Sequence, residues 1–506
     1  MGIANAAVEL LLRNLERHPR KAAYLCGEQR ISYRELGVEC RRFALLLRKR
    51  GIAPGERVLI ILPDTFAFPV AFLGCLLAGV TAVAASAALR EEDFAHILED
   101  SGARLLVTNP DLAAPCTAAG DRVAAVFCDA RGSFAYRHDS DTGFDPHRPA
   151  ADDFAFMLYS SGSTGKPKGI PHRHRDLILP CELVGSAILG ITADDVIFSA
   201  SKFSFAYGLI NSLAFPLFFG ATAIIHPGKP DPASVLGIFS ERRPTIFFSV
   251  PTIYSQLILS CTANHLDVPL RVCYSAGEAL PAALFEEWRR LTGLEIVDGI
   301  GSTEMTYVYI SNRPGRARPG STGQPVPGYA LRLVDDDGAD VPSGVDGNLL
   351  VKGPTMTPCY WNLPDRSAET LLPDGFCRTG DVFVERDGFY FHRGRSDDMI
   401  KAGAHWVSPL PVEEALLSHP AVAECTVAAV TAGALVKPGA FVILAPGTVR
   451  TPGLMRELRK HLLKRIPEYM CPVRFTFVED LPRTATGKIQ RFRLRDTGKA
   501  GGKTED

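Results

Sequence analysis

Over roughly the first 320 residues, short apolar runs alternate with longer segments of helical period, separated by glycine, proline and aspartate. The runs "RVLIILP" (57–63), "ARLLVTN" (103–109) and "VAAVFCD" (123–129) are almost continuously apolar, the pattern of buried strands. "DDFAFMLYS" (152–160) predicts a strand running straight into a loop rich in glycine and serine, and "DLILPCELVGSAIL" (176–189) has the length and period of a helix. "ATAIIHP", "PTIFFSV" and "RVCYSAG" predict further strands with helices between them. This alternation predicts an α/β fold with parallel sheets covered by helices. From about residue 320 the texture changes to short strands and Gly/Asp turns, as in "YALRLVDDDGADVPSGVDGNLLVKGP", which predicts a smaller β-rich section. A boundary falls near "RGRSDDMIKAG" (393–403), dividing 1–394 from a compact α+β unit over 395–506.

One stretch tests this division. Phe68 to Leu89 carries no charge over 22 residues, long enough to span a bilayer. Pro69, Gly74, Gly79 and the many alanines break it instead into a helix ending at Gly79 and a buried strand "VTAVAA". No membrane association is expected. The N-terminal residues lack a basic segment followed by a long apolar core, so no secretory signal is expected.

Composition narrows the class further. A chain of 506 residues exceeds one ordinary core, so two or more domains are expected. The formal net charge of −1 argues against a nucleic-acid binder. The 12 cysteines include no C-x-x-C pair and read as scattered core thiols in a reducing cytoplasm.

The loop "SSGSTGKPKG" (160–169) has the glycines, hydroxyls and lysines of a phosphate grip. It is not the G-x-x-x-x-G-K-[ST] loop of kinases and NTPases, because Pro167 stands where that loop needs a hydroxyl for magnesium. A turn rich in Gly and Ser is the plain alternative. Five more stretches follow it: "YSAGEALP" (274–281), "DGIGSTEM" (298–305), "RTGD" (378–381), "GRSDDMIK" (394–401) and "LPRTATGKIQR" (481–491). In order and spacing these resemble the adenylate-forming superfamily of acyl-CoA synthetases, adenylation domains and luciferases, over nearly the whole chain. "KFSFAYGLINSLAFPLFFGAT", "DGIGSTEM" with "SNRPG", and "VSP" after the hinge look most like benzoate- and other aryl-CoA ligases.

The resemblance implies a large N-terminal domain of two stacked αβ subdomains with a small β-barrel section, and a small mobile C-terminal domain. It implies that a carboxylate attacks the α-phosphate of ATP, releasing pyrophosphate, and that a thiol then displaces AMP. Ser160, Ser161, Gly162, Ser163, Thr164, Gly165, Lys166 and Lys168 would hold the outer phosphates. Thr303 would contact the α-phosphate, and Glu304 would bind Mg²⁺, a hard cation suited to carboxylate oxygen. Gly277, Glu278, Ala279, Asp298, Gly299 and Ile300 would line the adenine pocket, and Asp381 and Arg395 would grip the ribose. Asp397 would be the hinge.

The same resemblance places the acid at Phe205, Ala206 and Tyr207, with Ala276, Gly301 and Met305. Amino-acid-activating relatives commonly carry an aspartate where this chain has Ala206, so an α-ammonium would go unpaired here. The aromatic residues suggest an apolar slot for a flat aromatic acid, with ordinary core aromatics as the alternative. Glu182 either reads a ring substituent or lies on a solvated face. Lys401, Gly403, His405 and Trp406 would line a thiol tunnel, unless "KAGAHWVSP" is simply a packed loop. The thiol is open between CoA and a carrier-protein phosphopantetheine, because "IPEYMCPVRF" (466–475) lacks the basic character of a CoA-binding stretch. The expected assembly is a monomer or homodimer.

Lys488, in "ATGKIQ", lies more than 300 residues from the phosphate loop. Alone it would read as surface charge; the resemblance makes it the cation that bridges the attacking carboxylate and the α-phosphate. Substituting Lys488→Ala is expected to slow adenylation by about 10²-fold or more while largely sparing thioester formation from pre-formed acyl-adenylate. Rapid-quench measurement of each half-reaction checks this, and equal losses in both would refute a role confined to the first.

Overall fold

The computed structural model describes residues 5–112, 123–129, 133–134, 144–161, 166–261, 265–402, 405–432, 435–483 and 489–495. Local chemistry explains several elements directly. The helix Tyr33–Lys49 starts at a capping box, in which the Ser32 hydroxyl accepts the Glu35 N–H and the Glu35 carboxylate accepts the Ser32 N–H. The uncharged stretch after Phe66 forms the helix Ala67–Ala78, buried all round and ended by Gly79 at φ 78°. The buried strand Thr81–Ala84 follows, as the sequence predicts.

Chain packing divides the protein into two units: Met1–Leu331 with Val351–Cys377, and Arg332–Leu350 with Arg378–Asp506. Residues 332–350 and 378–394 of the β-rich section thus group with the C-terminal residues and 351–377 with the first unit, whereas the sequence reading divides the chain between 394 and 395.

The first unit contains two sheets. The larger runs Gln324–Pro325, Val308–Ser311, Ile296–Gly301, Val272–Ala276, Ile246–Ser249, Val196–Ser199, Thr222–Ile224, Ala22–Cys26, Gln29–Ser32. Its six central strands are parallel, and its edges are antiparallel. The helices Pro232–Arg242, Pro251–Ser260 and Ala282–Thr292 contribute Phe239, Tyr254, Phe285 and Trp288 to a core built on Phe247, Cys273 and Ile296. The second sheet runs Ala124–Phe127, Leu105–Thr108, Arg57–Ile61, Thr81–Ala84, Phe154–Ser161, Pro167–Arg173. The strand Ala124–Phe127 is at its edge with only Val126 buried, less enclosed than its apolar sequence suggests.

The strand Pro167–Arg173 is antiparallel to Phe154–Ser161. The segment expected to grip phosphate therefore joins two antiparallel strands, and only the first of them is visible in the sequence. "PKGIPHR" contains two prolines and a lysine, which weaken any strand signal. They are tolerated because this is an edge strand. Gly169 is required here, since a Cβ would press within 3.1 Å of Met157, Tyr159 and Trp361.

The β-rich section, most of it in the second unit, is a four-stranded sheet of Ala330–Val334, Gly347–Lys352, Cys377–Arg386 and Phe389–Arg395. Beyond it the three-stranded sheet Val422–Ala432, Leu435–Leu444, Arg474–Phe477 packs with the helices Pro409–Leu417 and Pro452–Leu463 around Val412, Leu416, Val427, Val442, Leu458 and Leu462. Among the described residues no helix is long and apolar enough to cross a membrane.

Gly208 shows how tightly the stretch around Phe205–Leu209 is packed. It lies in the short helix Ala206–Leu209, and a Cβ there would overlap the Lys202 carbonyl. The Gly208→Ala variant is expected to lose about 1–3 kcal/mol to overpacking, measured as a lowered melting temperature of the purified protein.

Candidate active site

The strand that leaves the phosphate loop carries Lys168, and the 3₁₀ turn Thr303–Met305 carries Glu304. Lys168 Nζ donates to Glu304 Oε1 at 3.1 Å and to the Tyr360 hydroxyl at 2.9 Å. Tyr360 donates to the same Oε1 at 2.7 Å. Burial alone pushes the Glu304 carboxyl up, but the Lys168 charge and the Tyr360 hydrogen bond outweigh it and hold it below the usual range. Glu304 is therefore a carboxylate. Tyr360 was not foreseen: "CYWN" carries no motif that singles it out.

A second set of contacts supports the turn from behind. His172, fully buried and stacked on Phe156, reaches the Thr303 carbonyl through Nε2 at 2.8 Å and the Thr306 hydroxyl through Nδ1 at 2.9 Å. Facing a carbonyl, Nε2 donates, while Nδ1 meets both the Thr306 hydroxyl and, at 3.5 Å, the buried Asp176 carboxylate. Thr306 has φ 62°, a costly value for a β-branched residue. The segment 355–361 laces the turn to the Lys168 strand. Thr355 donates its hydroxyl to the Met305 carbonyl at 2.7 Å, and the Thr357 N–H donates to the Glu304 carbonyl at 2.8 Å. The Thr357 hydroxyl donates to the Pro171 carbonyl at 2.7 Å, and the Trp361 N–H to the Gly169 carbonyl at 2.9 Å.

The residues expected around adenine follow or end parallel strands. Gly277, at φ 93°, follows Val272–Ala276, and Glu278 accepts the Thr252 hydroxyl at 2.8 Å. Asp298 is buried in register with Ser275, which is in register with Ser249. Asp298 Oδ1 and both serine hydroxyls meet no well-formed hydrogen bond. Burial drives the Asp298 carboxyl well above its ordinary value, only partly offset by the Gly299 N–H and Ser275. Glycine is needed at 299, where a Cβ would strike the Tyr274 hydroxyl, and at 301, where it would strike the Tyr307 backbone. Ala279, Ile300 and Thr303 are half-buried.

Phe205, Ala206 and Tyr207 are also half-buried, at the start of the helix Ala206–Leu209. The Tyr207 ring stacks on Tyr307 at 6.0 Å and meets Phe248 edge-on at 6.2 Å. Ala276 and Met305 are buried. Tyr307, which sequence reasoning missed, is anchored by donating its hydroxyl to Asn211 Oδ1 at 2.5 Å. Glu182 is exposed.

In the second unit, Asp381 lies 3.3 Å from His392 Nε2 and 3.4 Å from Arg395 Nη1. Arg395 also pairs with Asp397 at 3.4 Å and donates to the Thr379 carbonyl at 2.7 Å. Lys401 is exposed on the short strand Ile400–Ala402. Arg491 binds Glu413 at 2.8 Å and Asp398 at 3.2 Å, tying the segment after Lys488 to the residue beside the expected hinge. Lys166 is exposed and Ser160 half-buried. Lys488, Gly162, Ser163, Thr164, Gly165 and Gly403 lie outside the described residues, as do the side chains of Ser161, His405 and Trp406.

The AMP-binding enzyme family matches residues 11–361, and its C-terminal domain matches 411–488. The chain belongs to the AMP-binding enzyme family. Among such enzymes it is 41% identical to a benzoate–CoA ligase of Thauera aromatica, covering 97% of this chain and 95% of that one. It is 37% identical to a 4-hydroxybenzoate–CoA/benzoate–CoA ligase of Rhodopseudomonas palustris, over 97% and 94% of the two chains. A benzoate CoA ligase structure from Burkholderia xenovorans LB400 superposes with TM-score 0.89 at 41% identity, covering 98% of this chain and 100% of that one. The anthranilate CoA ligase AuaEII, solved with anthranoyl-AMP, gives TM-score 0.92 at 37% identity over 98% and 97%.

In this AMP-binding enzyme, no group of three or more His, Cys, Asp or Glu side chains suited to a metal occurs among the described residues. Glu304 offers a single carboxylate, and both of its side-chain hydrogen bonds described above enter at Oε1. That donor set fits Mg²⁺, which takes one or two carboxylates and fills its shell with water and phosphate oxygens.

The raised Asp298 carboxyl has a pH consequence. A carboxyl that binds its proton more tightly when folded contributes stability below its unfolded value and loses it as pH rises through the folded value. From about pH 5 to pH 9, well above the unfolded Asp value of about 4, the wild type should lose melting temperature relative to Asp298→Asn. Parallel melting curves across that range check the sign.

Proposed function

We propose that the protein uses ATP to activate a benzoate-like carboxylic acid and then transfers it to coenzyme A. The observation that carries this reading is near full-length similarity to benzoate–CoA ligases. The partly exposed Phe205–Ala206–Tyr207 stretch adds support, since it offers aromatic and apolar surface and no carboxylate for an α-ammonium. CoA is the acceptor proposed, because these relatives are named for CoA.

In the first step a substrate carboxylate oxygen attacks the α-phosphorus. The α–β bond breaks, its electron pair leaves with pyrophosphate, and the acyl-adenylate remains. Lys168 and the loop 160–169 would hold the departing phosphates, and Thr303 would bind the α-phosphate. Magnesium held by Glu304 would supply charge neutralisation for the polyphosphate. Asp298 and Glu278 would face the adenine side, and Asp381 with Arg395 the ribose. Lys488 would bridge the two reacting anions, offsetting a repulsion that water would otherwise screen. In the second step the CoA sulfur attacks the acyl carbon, the thiol proton is released, and AMP departs. We infer that the C-terminal domain, residues 395–506, turns at Asp397 between the steps, withdrawing Lys488 so that the thiol enters past Lys401, Gly403, His405 and Trp406.

The decisive measurement is exchange of labelled pyrophosphate into ATP, run with a panel of benzoates. Exchange should depend on the aromatic acid, and adding CoA should release AMP and yield an aryl-CoA thioester. Release of ADP, or exchange indifferent to the acid, would exclude this reading.

A further inference from the structure

Lys168, Glu304 and Tyr360 form a closed triangle with edges of 3.1, 2.9 and 2.7 Å. The side chains of Lys168 and Glu304 are only 18% and 16% exposed, and Tyr360 is buried. Taking one partner from a buried ion pair is expensive, because the other charge is left uncompensated. A lone anion that captured Lys168 would strand Glu304. A lone cation at Glu304 would face the Lys168 ammonium. Only a ligand carrying both signs, a divalent cation on a polyphosphate, satisfies both residues together.

We propose that Tyr360 is a positioning residue for an exchange of ion-pair partners, in which Lys168 passes from Glu304 to a phosphate oxygen and Glu304 passes from Lys168 to the metal. Through the exchange Tyr360 keeps its hydrogen bond to Glu304 Oε1. The proposal rests on Glu304 as the metal carboxylate and adds what prepares it for that role.

The surroundings suit such a pivot. The Tyr360 backbone N–H donates to Ser367 Oγ at 2.9 Å, and the adjacent Trp361 N–H is bound to Gly169. The same segment holds the Glu304 main chain through the Thr357 N–H. The hydroxyl is thus fixed in the frame that fixes Glu304. Lys168, by contrast, ends a flexible stem, and its ammonium lies 4.0 Å from the Tyr360 ring centroid, a contact that does not depend on Glu304.

Calorimetric titration of ATP with and without Mg²⁺, and of Mg²⁺ alone, tests this on wild type, Tyr360→Phe and Lys168→Met, each first checked for an unchanged far-ultraviolet spectrum. In wild type, Mg²⁺ should tighten ATP binding by about tenfold or more, the scale of charge-assisted contacts. Tyr360→Phe should cut that gain to about threefold or less and leave metal-free ATP affinity within about twofold. Lys168→Met should strengthen binding of Mg²⁺ alone, because the competing ammonium is gone. A Tyr360→Phe protein that keeps the full gain, or weakens ATP equally with and without Mg²⁺, overturns the proposal. So does a Lys168→Met protein whose affinity for Mg²⁺ alone is unchanged. A wild type that shows the metal-dependent gain but no exchange with any aromatic acid would refute the substrate assignment and leave the partner exchange standing.

Discussion

The buried pair between Lys168 and Glu304 joins two parts of the chain that are 136 residues apart. Lys168 belongs to the edge strand that follows the phosphate loop, and Glu304 to the turn that ends a parallel strand of the other sheet. A pair this enclosed is stable only when its geometry is held and its remaining hydrogen-bonding capacity is met. The segment 355–361 provides that. It binds the turn through Thr355 and Thr357, the strand through Thr357 and Trp361, and the carboxylate through Tyr360. His172 closes the same joint from the protein interior. The strained Thr306 is tolerated because these contacts over-determine its position.

Around that joint the remaining groups of the first unit are arranged by sheet topology. Parallel strands deliver their carboxyl ends to one side, and there the backbone must turn toward a helix or loop. Ser199, Ser249, Ala276 and Gly301 are the last residues of four such strands, and the candidate binding stretches begin at or just beyond them. The glycines follow from close packing at these ends: Gly299 abuts the Tyr274 hydroxyl and Gly301 the Tyr307 backbone. Asp298 is the costly exception, a carboxyl buried among poorly paired hydroxyls. In the second unit, Asp381 and Arg491 are anchored more conventionally, each among opposite or protonatable partners.

Motifs with a backbone or charge requirement were legible without coordinates. The strand "DDFAFMLYS" and the helix ending at Gly79 followed from residue type and order, whereas the roles expected of Lys168, Glu304, Asp298 and Asp381 came from the family resemblance. Strand Pro167–Arg173 was not legible, because prolines and lysine mask a strand that survives only at an edge. Tyr360, His172 and Tyr307 were not legible either. Each acts through neighbours distant in sequence, and a lone tyrosine or histidine in an apolar stretch looks like any core residue.

By itself, then, the sequence determined the family, the alternation of strands and helices, and which residue types could handle phosphate, metal and acid. These are set by local spacing, backbone conformational demands and formal charge, which chain order preserves. Only the tertiary structure decided which of those residues are paired with one another. It made Lys168 the partner of Glu304, with Tyr360 between them, and left Glu182 in solvent. Pairing and burial depend on which surfaces the folded chain brings within about 3 Å, and the energetic cost of an unpaired charge exists only once water has been removed.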